Sequence, residues 1–230
     1  MRVIINNFNR LEPLLKLVSW LKRAENVSEI IIVDNCSTYE PLLDYYTSTE
    51  FTIHKAEKNY RFSGLKKYVE KIPEKESFIV TDSDIVPHEN CPLDLIPKLS
   101  YFSERYKKQD ILKVGPGLYL EDIPDKYPLK YKILLQQENC RNNAAKFVQI
   151  IESDSVIPFK IDTVFALYRE RRSVGKVRPC ITMKYPYVVR HMDWYEDPQS
   201  FTEEYKNYLS TANEMSTTTR TMKEWIGQNR

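Results

Sequence analysis

The chain has 230 residues, of which 42% are hydrophobic and 29% are charged, and its formal net charge is +2 at pH 7. This composition is typical of a folded globular domain and argues against disorder. Lysines and arginines are spread along the chain without a dense basic block, so a nucleic-acid-binding protein is not expected. Only five glycines are present, and neither GxGxxG nor GxxxxGK[ST] occurs. Any bound nucleotide must therefore be held by side chains and a metal.

The cysteines and the apolar segments indicate the cellular compartment in which the protein is expected. The cysteines are widely separated and form no CxxC pair, so we expect them to be reduced and buried. The N-terminal apolar run is too short for a signal peptide, and no stretch reaches the roughly 18 apolar residues of a membrane span. A cytoplasmic localisation is expected. The four cysteines are Cys36, Cys91, Cys140 and Cys180.

The first ninety residues alternate between apolar runs and stripes of apolar residues at helical spacing. Strands that alternate with amphipathic helices are typical of an α/β fold, with a mostly parallel twisted sheet flanked by helices. The apolar runs predict strands at residues 3–5, 30–33, 51–53 and 78–80. The helical stripes predict helices at residues 11–21, 42–46 and 65–72.

The second half of the chain is less regular and carries many of the thirteen prolines. The turn signal Gly-Pro-Gly at 115–117 interrupts an apolar stretch, and no internal repeat or linker is evident. Residues 215–230 have the composition of a tail of uncertain order. Helices are predicted at residues 101–108, 126–143 and 203–213, and strands at residues 161–168 and 187–189.

Polar clusters follow three of the predicted strands, at residues 6–10, 34–38 and 82–84. Because the carboxyl ends of parallel strands meet at one edge of a sheet, a ligand site is expected there. In the last cluster, Asp82 and Asp84 flank a serine. A carboxylate pair at this spacing suits Mg²⁺ or Mn²⁺, which prefer oxygen ligands and share their coordination with phosphate oxygens.

The same aspartates allow other interpretations. A solvated turn is the simplest, since two aspartates around a serine occur by chance in many proteins. The stretch DSDIV also fits the DxDx(T/V) pattern of haloacid-dehalogenase-like phosphatases, in which the first aspartate is the nucleophile. In that family the motif normally follows the first strand, whereas three predicted strands precede it here, and no GDxxxD-like acidic motif follows.

Four segments of the first ninety residues agree in order and spacing with one family. They are VIINNFNRLEPLLKLVSWL, EIIIVDNCST, KNYRFSGLKKYV and DSDIVP. Together they resemble the first strand with its N-R loop, the D-N-x-S-T strand end, the N-x-G-x-x-x-A-x-N segment and the DxD motif of GT-A glycosyltransferases of the family 2 type. Arg61 stands where that family usually has glycine, which puts the shape of this loop in question.

The second half carries VGPGLYLEDIPDKYP, IDTVFALYR and RHMDWYEDP, and is similar to a compact rhamnosyltransferase domain of large algal viruses. The resemblance implies a single GT-A domain over residues 1–230. Residues 1–100 would form the nucleotide-sugar-binding half, residues 101–215 the acceptor-side half and residues 216–230 a C-terminal tail. The implied activity is a metal-dependent, inverting transfer of a hexose or deoxyhexose. The donor would be a nucleotide-diphosphate sugar, expected to be UDP-linked, and the acceptor a hydroxyl of a glycan or glycoconjugate.

The resemblance also assigns roles to individual residues. Asp34 would contact the uracil or ribose, Asp82 the ribose or a metal-bound water, and Asp84 would be a direct ligand of Mn²⁺ or Mg²⁺. The residues that would contact the nucleotide are Asn6, Phe8, Arg10, Asp34, Asn59, Arg61, Asp82 and Ser83.

His191 is the candidate for a further metal ligand, because it lies in the C-terminal region where GT-A enzymes often supply one. Neutral imidazole is a competent ligand for Mn²⁺. A structural histidine beside Trp194 is the alternative.

An acceptor hydroxyl needs a base to take its proton. Asp162 is favoured for this role, since it begins an apolar strand, and Asp122 is the rival. Asp193 and Asp197 are lesser candidates, and for each of the four a capping or turn role is the alternative.

Two function classes compete with the transferase. A non-catalytic nucleotide-sugar-binding protein of the same fold would bind UDP without transfer or hydrolysis. A phosphatase would release phosphate without nucleotide preference, and Asp82→Asn would block it.

Overall fold

The computed structural model describes residues 1–109, 111, 113–144, 156–158, 165–171, 174, 180–212 and 217–228. The strands in these residues are β1 (Arg2–Asn7), β2 (Glu29–Asp34), β3 (Thr52–Lys55), β4 (Phe78–Asp82), β5 (Ile85–Pro87), β6 (Lys113–Gly115), β7 (Gly117–Leu118), β8 (Val156–Pro158), β9 (Phe165–Tyr168), β10 (Ile181–Met183) and β11 (Val188–His191). The α-helices are α1 (Glu12–Leu21), α2 (Glu40–Ser48), α3 (Phe62–Val69), α4 (Leu95–Arg105), α5 (Lys130–Ala144), α6 (Glu203–Thr211) and α7 (Thr217–Gln228).

The central sheet has eight strands in the order β3-β2-β1-β4-β9-β6-β10-β8. The four strands of the N-terminal half pair in parallel, as do β6 and β10, whereas β9 runs antiparallel to both of its neighbours. The predicted α/β fold, with a mostly parallel sheet and flanking helices, is therefore confirmed. The order also places β4 beside β1, so the ends of these two strands adjoin.

Helices cover both faces of the sheet, which explains why its strands are continuous apolar runs rather than alternating patterns. Val3 and Ile5 of β1 belong to a core cluster that also contains Leu17 of α1 and Leu99 of α4. Ile4, between them, packs in a separate cluster with residues of α3, including Leu65. A strand with both faces buried in this way fixes its own register and therefore the position of its polar carboxyl end.

A second, three-stranded sheet has the order β5-β11-β7. Its first strand begins directly after Asp84, and it pairs antiparallel with β11 so that Ile85 faces His191. The amide of Met192 donates a hydrogen bond to the carbonyl of Asp84, at 2.8 Å. This small sheet therefore carries His191 to the end of the DSD segment.

Several predictions in the second half need correction. Helix α4 begins at Leu95, six residues before the predicted start at 101, and Gly115-Pro116-Gly117 separates two strands that belong to different sheets. Residues 217–228 of the predicted tail form α7, whose Met222 is fully buried in a cluster with Tyr205. In the first half of the chain, Cys36 is exposed, although we expected it to be buried. None of the helices in the described residues has the length and apolar character of a membrane span.

Arg61 precedes α3 with φ of 54° and ψ of −137°. The chain keeps a glycine-like backbone here despite the arginine, and such conformations cost a non-glycine residue about 1–3 kcal/mol. Arg61→Gly is therefore expected to raise the free energy of unfolding by about 1 kcal/mol, measured by urea denaturation. Arg61→Ala is the matched control, because it removes the side chain but keeps the Cβ. An equal gain in both variants would contradict a backbone origin.

Candidate active site

A cleft of about 240 Å³ opens at the carboxyl ends of β1 and β4, where the sequence predicts a ligand site. Strand β11, the short 3₁₀ turn after it and helix α6 complete its walls. Eight of the candidate site residues line it together with one further residue, Tyr208. The lining consists of Asn6, Phe8, Arg10, Asp82, Ser83, Asp84, His191, Asp193 and Tyr208.

Asp82 ends β4 and is held by an amide relay. Asn35 donates a hydrogen bond to the amide oxygen of Asn6, at 2.6 Å, and Asn6 donates in turn to the Asp82 carboxylate, at 2.9 Å. The Ser83 amide donates to the Asn6 carbonyl, which fixes the backbone of the turn. Burial, followed by the negative charge of Asp84, raises the pKa of Asp82 to about 7. An acidic pair this close favours either a proton or a cation.

Three side chains converge in the cleft as possible metal ligands. One ligand atom from each of Asp84, His191 and Asp193 lies within 4.8 Å of the others. The His191 Nδ1 atom is 3.6 Å from the nearer Asp84 oxygen, and among the described residues it has no hydrogen-bond partner although it is buried. An unpartnered imidazole nitrogen within 4.8 Å of two carboxylates suits Mn²⁺ better than Mg²⁺, which prefers oxygen ligands. The residues present therefore fit a divalent cation.

The orientation of His191 is set by Trp194. The two rings stack with centroids 4.7 Å apart and planes inclined by 10°. His191 therefore packs on Trp194, as the alternative role requires, and also lies beside Asp84. Stacking restricts the ring without occupying its Nδ1 atom.

Arg10 is a buried cation that joins three carboxylates. Its guanidinium lies 2.9 Å from Asp193, 2.9 Å from Glu196 and 3.6 Å from Glu204. The arginine side chain is only 4% exposed, and its charge also lies over the rings of two tyrosines of α6. Burial raises the pKa of Asp193 more than the charge of Arg10 lowers it. Arg10 therefore anchors Asp193 within the cleft wall.

Glu204 connects helix α6 to the start of helix α1. Its carboxylate accepts hydrogen bonds from the Leu11 and Glu12 amides, both at 2.8 Å, at the N-terminus of α1. No side chain within the helix itself caps this end, so a distant residue satisfies the free amides. The sequence did not indicate this role, since the partners are more than 190 positions apart.

Asp34 does not line the cleft. It is 1% exposed, and its oxygens accept hydrogen bonds from the Ser37 amide and hydroxyl and from the Tyr46 hydroxyl. In this arrangement the carboxylate organises the loop after β2 rather than presenting a free oxygen to a base or ribose. The D-N-x-S-T pattern alone does not predict that Asp34 is buried.

Two further predicted nucleotide contacts, Asn59 and Arg61, also lie outside the cleft lining. The Asn59 side chain accepts a hydrogen bond from the Arg61 amide, so the pair shapes the turn before α3.

The two main candidate bases are Asp122 and Asp162, and the structure describes the surroundings of the first. Asp122 pairs with Arg190 and accepts a hydrogen bond from the Tyr195 hydroxyl. Burial raises its pKa, but these two partners outweigh burial and lower it overall. A carboxylate of this kind is a poor proton acceptor. Asp162 lies outside the described residues.

Gly64 of α3 allows the helix to approach the amide relay. A Cβ at this position would lie 2.7 Å from the Asn35 side-chain oxygen. In Gly64→Ala, overpacking should lower the free energy of unfolding by about 1–3 kcal/mol. The higher helix propensity of alanine should offset roughly 1 kcal/mol of this loss. We expect net destabilisation in urea, and weaker Mn²⁺-dependent nucleotide binding because Asn6 loses its support.

The matched test is a double-mutant cycle with Asn35→Ala, which removes the atom that would clash. Gly64→Ala should stabilise the protein in that background, with a coupling free energy of about 1–2 kcal/mol. Additive effects would show that Asn35 and Gly64 are not in contact.

No protein-family model matches this chain, and no curated protein matches it in sequence. In structure it is similar to PcManGT, a mannosyltransferase from Pyrobaculum calidifontis determined with GDP-Man and Mn²⁺. The similarity has a TM-score of 0.52 at 11% identity and covers 100% of this chain and 75% of PcManGT. The chain has the GT-A fold.

Other solved structures show more partial similarity to this GT-A chain. Glucosyl-3-phosphoglycerate synthase from Mycobacterium tuberculosis matches with a TM-score of 0.45 at 13% identity, over 74% of this chain and 56% of the synthase. S. aureus TarS matches with a TM-score of 0.38 at 14% identity, over 54% of this chain. The matched region spans only 23% of the TarS chain.

Proposed function

We propose that this protein is a metal-dependent glycosyltransferase that moves a sugar from a nucleotide-diphosphate sugar to a hydroxyl of a glycan or glycoconjugate. The observation that carries the proposal is the convergence of Asp84, His191 and Asp193 at the strand ends of a GT-A fold. The DSD segment follows the fourth strand in the chain, which disfavours the phosphatase alternative.

The charges of the cleft support metal dependence. Among the described residues that line it, Arg10 is the one arginine or lysine, and it is already paired with carboxylates. Asp82, Asp84 and Asp193 would repel a diphosphate. An anionic donor can therefore bind here only together with a divalent cation.

Each side chain has a distinct role in the proposal. Asp84 and His191 would hold the metal, with Asp193 positioned by Arg10 as a further carboxylate. When bound, the ion would neutralise the charge that develops on the leaving diphosphate. Asp82, oriented by Asn6, would contact the ribose or a metal-bound water.

Phe8 and Tyr208 would provide the apolar side of the nucleotide pocket. Their rings meet edge to face, with centroids 6.5 Å apart. Flat rings at this place suit a base or the face of a ribose. Tyr208 was not predicted, because its helix carries no motif of the resemblance.

The transfer would proceed by one displacement with inversion. The acceptor hydroxyl attacks the anomeric carbon, the bond from that carbon to the diphosphate oxygen breaks, and the hydroxyl proton passes to a carboxylate. We retain Asp162 as the proposed base, since the partners of Asp122 lower its pKa. The nucleoside diphosphate leaves with the electron pair of the broken bond.

The finer assignments remain predictions of the same proposal. They are a UDP-linked hexose or deoxyhexose donor, a cytoplasmic localisation, and one domain with a nucleotide half (1–100) and an acceptor half (101–215). PcManGT was determined with GDP-Man, so guanosine donors belong in the test beside uridine donors.

The test is release of nucleoside diphosphate from a panel of UDP-, GDP- and dTDP-sugars, with Mn²⁺ and with EDTA. Metal-dependent release from one nucleotide class would support the proposal. Tight nucleotide binding without release or transfer, in the presence of an acceptor mixture, would instead support the non-catalytic alternative. Hydrolysis of a generic phosphate ester without nucleotide preference would support the phosphatase.

A further inference from the structure

A second cavity, of about 270 Å³, lies beside the three-stranded sheet. It is separate from the metal cleft, and none of the residues that line the metal cleft lines it. Its walls come from β7 and the segment after it, the end of β10 and the segment after it, Gln137 of α5 and the start of β11. The side chains that matter below are Tyr119, Glu121, Gln137, Lys184, Tyr185 and Val188.

Gln137 supplies an unsatisfied polar group to this cavity. The residue is 5% exposed, and its side-chain oxygen has no hydrogen-bond partner among the described residues. Leaving a buried acceptor unpaired costs about 1–3 kcal/mol. A group that bears this cost while lining a cavity is suited to a ligand that donates a hydrogen bond.

Two tyrosines supply the aromatic part of the cavity lining. The rings of Tyr119 and Tyr185 have centroids 6.3 Å apart and an angle of 38° between their planes. Buried His88 packs against both rings, at 4.4 Å and 6.2 Å, and the Asn90 amide donates to the Tyr185 hydroxyl. Tyr185 is nevertheless 58% exposed. A large aromatic ring held in place yet open to solvent is suited to stacking.

We propose that this cavity binds one pyranose ring of the acceptor, so that the acceptor is a saccharide or carries one. The proposal rests on the glycosyltransferase function proposed above. Aromatic rings pack on the apolar faces of sugars, and the Gln137 oxygen would accept a hydrogen bond from a sugar hydroxyl. Lys184 and Glu121 contribute opposite charges to the lining, which favours a neutral ligand over an anionic one.

The cavity lies near the metal cleft. Val188 lines the cavity and His191 lines the metal cleft, and the two belong to the same strand. Three residues of strand span about 10 Å. Side chains three positions apart on a strand point to opposite faces, so a saccharide seated in the cavity would have to pass around β11 to extend toward the donor site, and the two sites keep separate walls.

The experiment uses the full chain with Mn²⁺ and UDP, and ligand-observed NMR with methyl glycosides of glucose, galactose, mannose, rhamnose and N-acetylglucosamine. At least one glycoside should bind with a dissociation constant in the millimolar range. Tyr185→Ala should weaken it about tenfold, which corresponds to about 1.4 kcal/mol. Tyr101→Ala is the matched control, since Tyr101 is 54% exposed on α4 and does not line the cavity.

Gln137→Met separates binding from structure. It keeps the volume and removes the unpaired oxygen, so thermal stability should be unchanged or higher while glycoside affinity falls at least as far as in Tyr185→Ala. Lower stability with unchanged affinity would contradict a ligand role for Gln137.

Failure of this inference is distinguishable from failure of the proposed function. If Mn²⁺–UDP binds but no glycoside does, or the binding is the same in Tyr185→Ala, the saccharide site is wrong. If a glycoside binds in a Tyr185-dependent way but no nucleotide binds with Mn²⁺, the cavity is a sugar site and the transferase proposal fails. Displacement of the glycoside by a free nucleobase or a peptide of matched concentration would also overturn the assignment.

Discussion

Asp84→Asn is expected to weaken Mn²⁺-dependent nucleotide binding strongly while it makes the metal-free protein more stable. Asp84 lies beside His191, and its negative charge contributes to the raised pKa of both Asp82 and Asp193. Removing one negative charge relieves this repulsion by roughly 1 kcal/mol at neutral pH. The same change removes a direct ligand, and affinity for Mn²⁺–UDP should fall by about a hundredfold or more.

The measurement combines calorimetric titration of UDP and GDP, with Mn²⁺ or EDTA, and thermal unfolding of the metal-free protein. Asp44→Asn is the matched control, because Asp44 is an exposed aspartate on α2, and it should change neither quantity. Weaker nucleotide binding together with higher stability would identify Asp84 as a residue that serves binding at a cost in stability. Wild-type affinity in Asp84→Asn would show that Asp84 is not a ligand.

Arg10→Met is expected to cause the largest loss of stability of any variant considered, about 3–5 kcal/mol. The guanidinium is the shared partner of Asp193, Glu196 and Glu204. Burial already raises the pKa of each of these carboxyl groups. Without the cation, three carboxylates would share a poorly solvated site.

Urea denaturation measures this loss, and two variants calibrate it. Arg10→Lys keeps the charge but not the planar fork, so it should lose only part of the stability. Arg23→Met removes an arginine that is exposed to solvent, and it should lower the free energy of unfolding by less than about 1 kcal/mol. A loss of that size in Arg10→Met would contradict the role of Arg10 as the anchor between the first loop and α6.

The N-terminal half was predictable because its signals are local. Four apolar runs alternate with amphipathic helices, and this pattern fixes a parallel sheet whose polar strand ends converge. Asn6, Asp82 and Asp84 could be placed at one edge from that reasoning alone, and the structure brings them together in the cleft. His191 was a weaker inference, and pairing of Ile85 with His191 in the small sheet accounts for its position.

The remainder depends on contacts that no local pattern encodes. Strands β5 and β7 have three and two residues, which is too short for any periodicity to appear. Asp34 is buried because Ser37 and Tyr46 hydrogen-bond to it. The position of Asp34 in the D-N-x-S-T motif does not indicate this burial. Arg10 lines the cleft as expected, but its three acidic partners were not foreseen, because they lie more than 180 positions further along the chain.

The central claim is that a divalent cation and a nucleoside diphosphate bind together between the DSD segment and His191. The most direct measurement is a crystal structure with Mn²⁺ and UDP or GDP, in which anomalous scattering locates the metal. The account predicts one manganese peak at ligand distance, about 2 Å, from Asp84 and from His191, bridged to the diphosphate oxygens. A nucleotide seated elsewhere, or manganese bound only at exposed carboxylates away from this cleft, would contradict it.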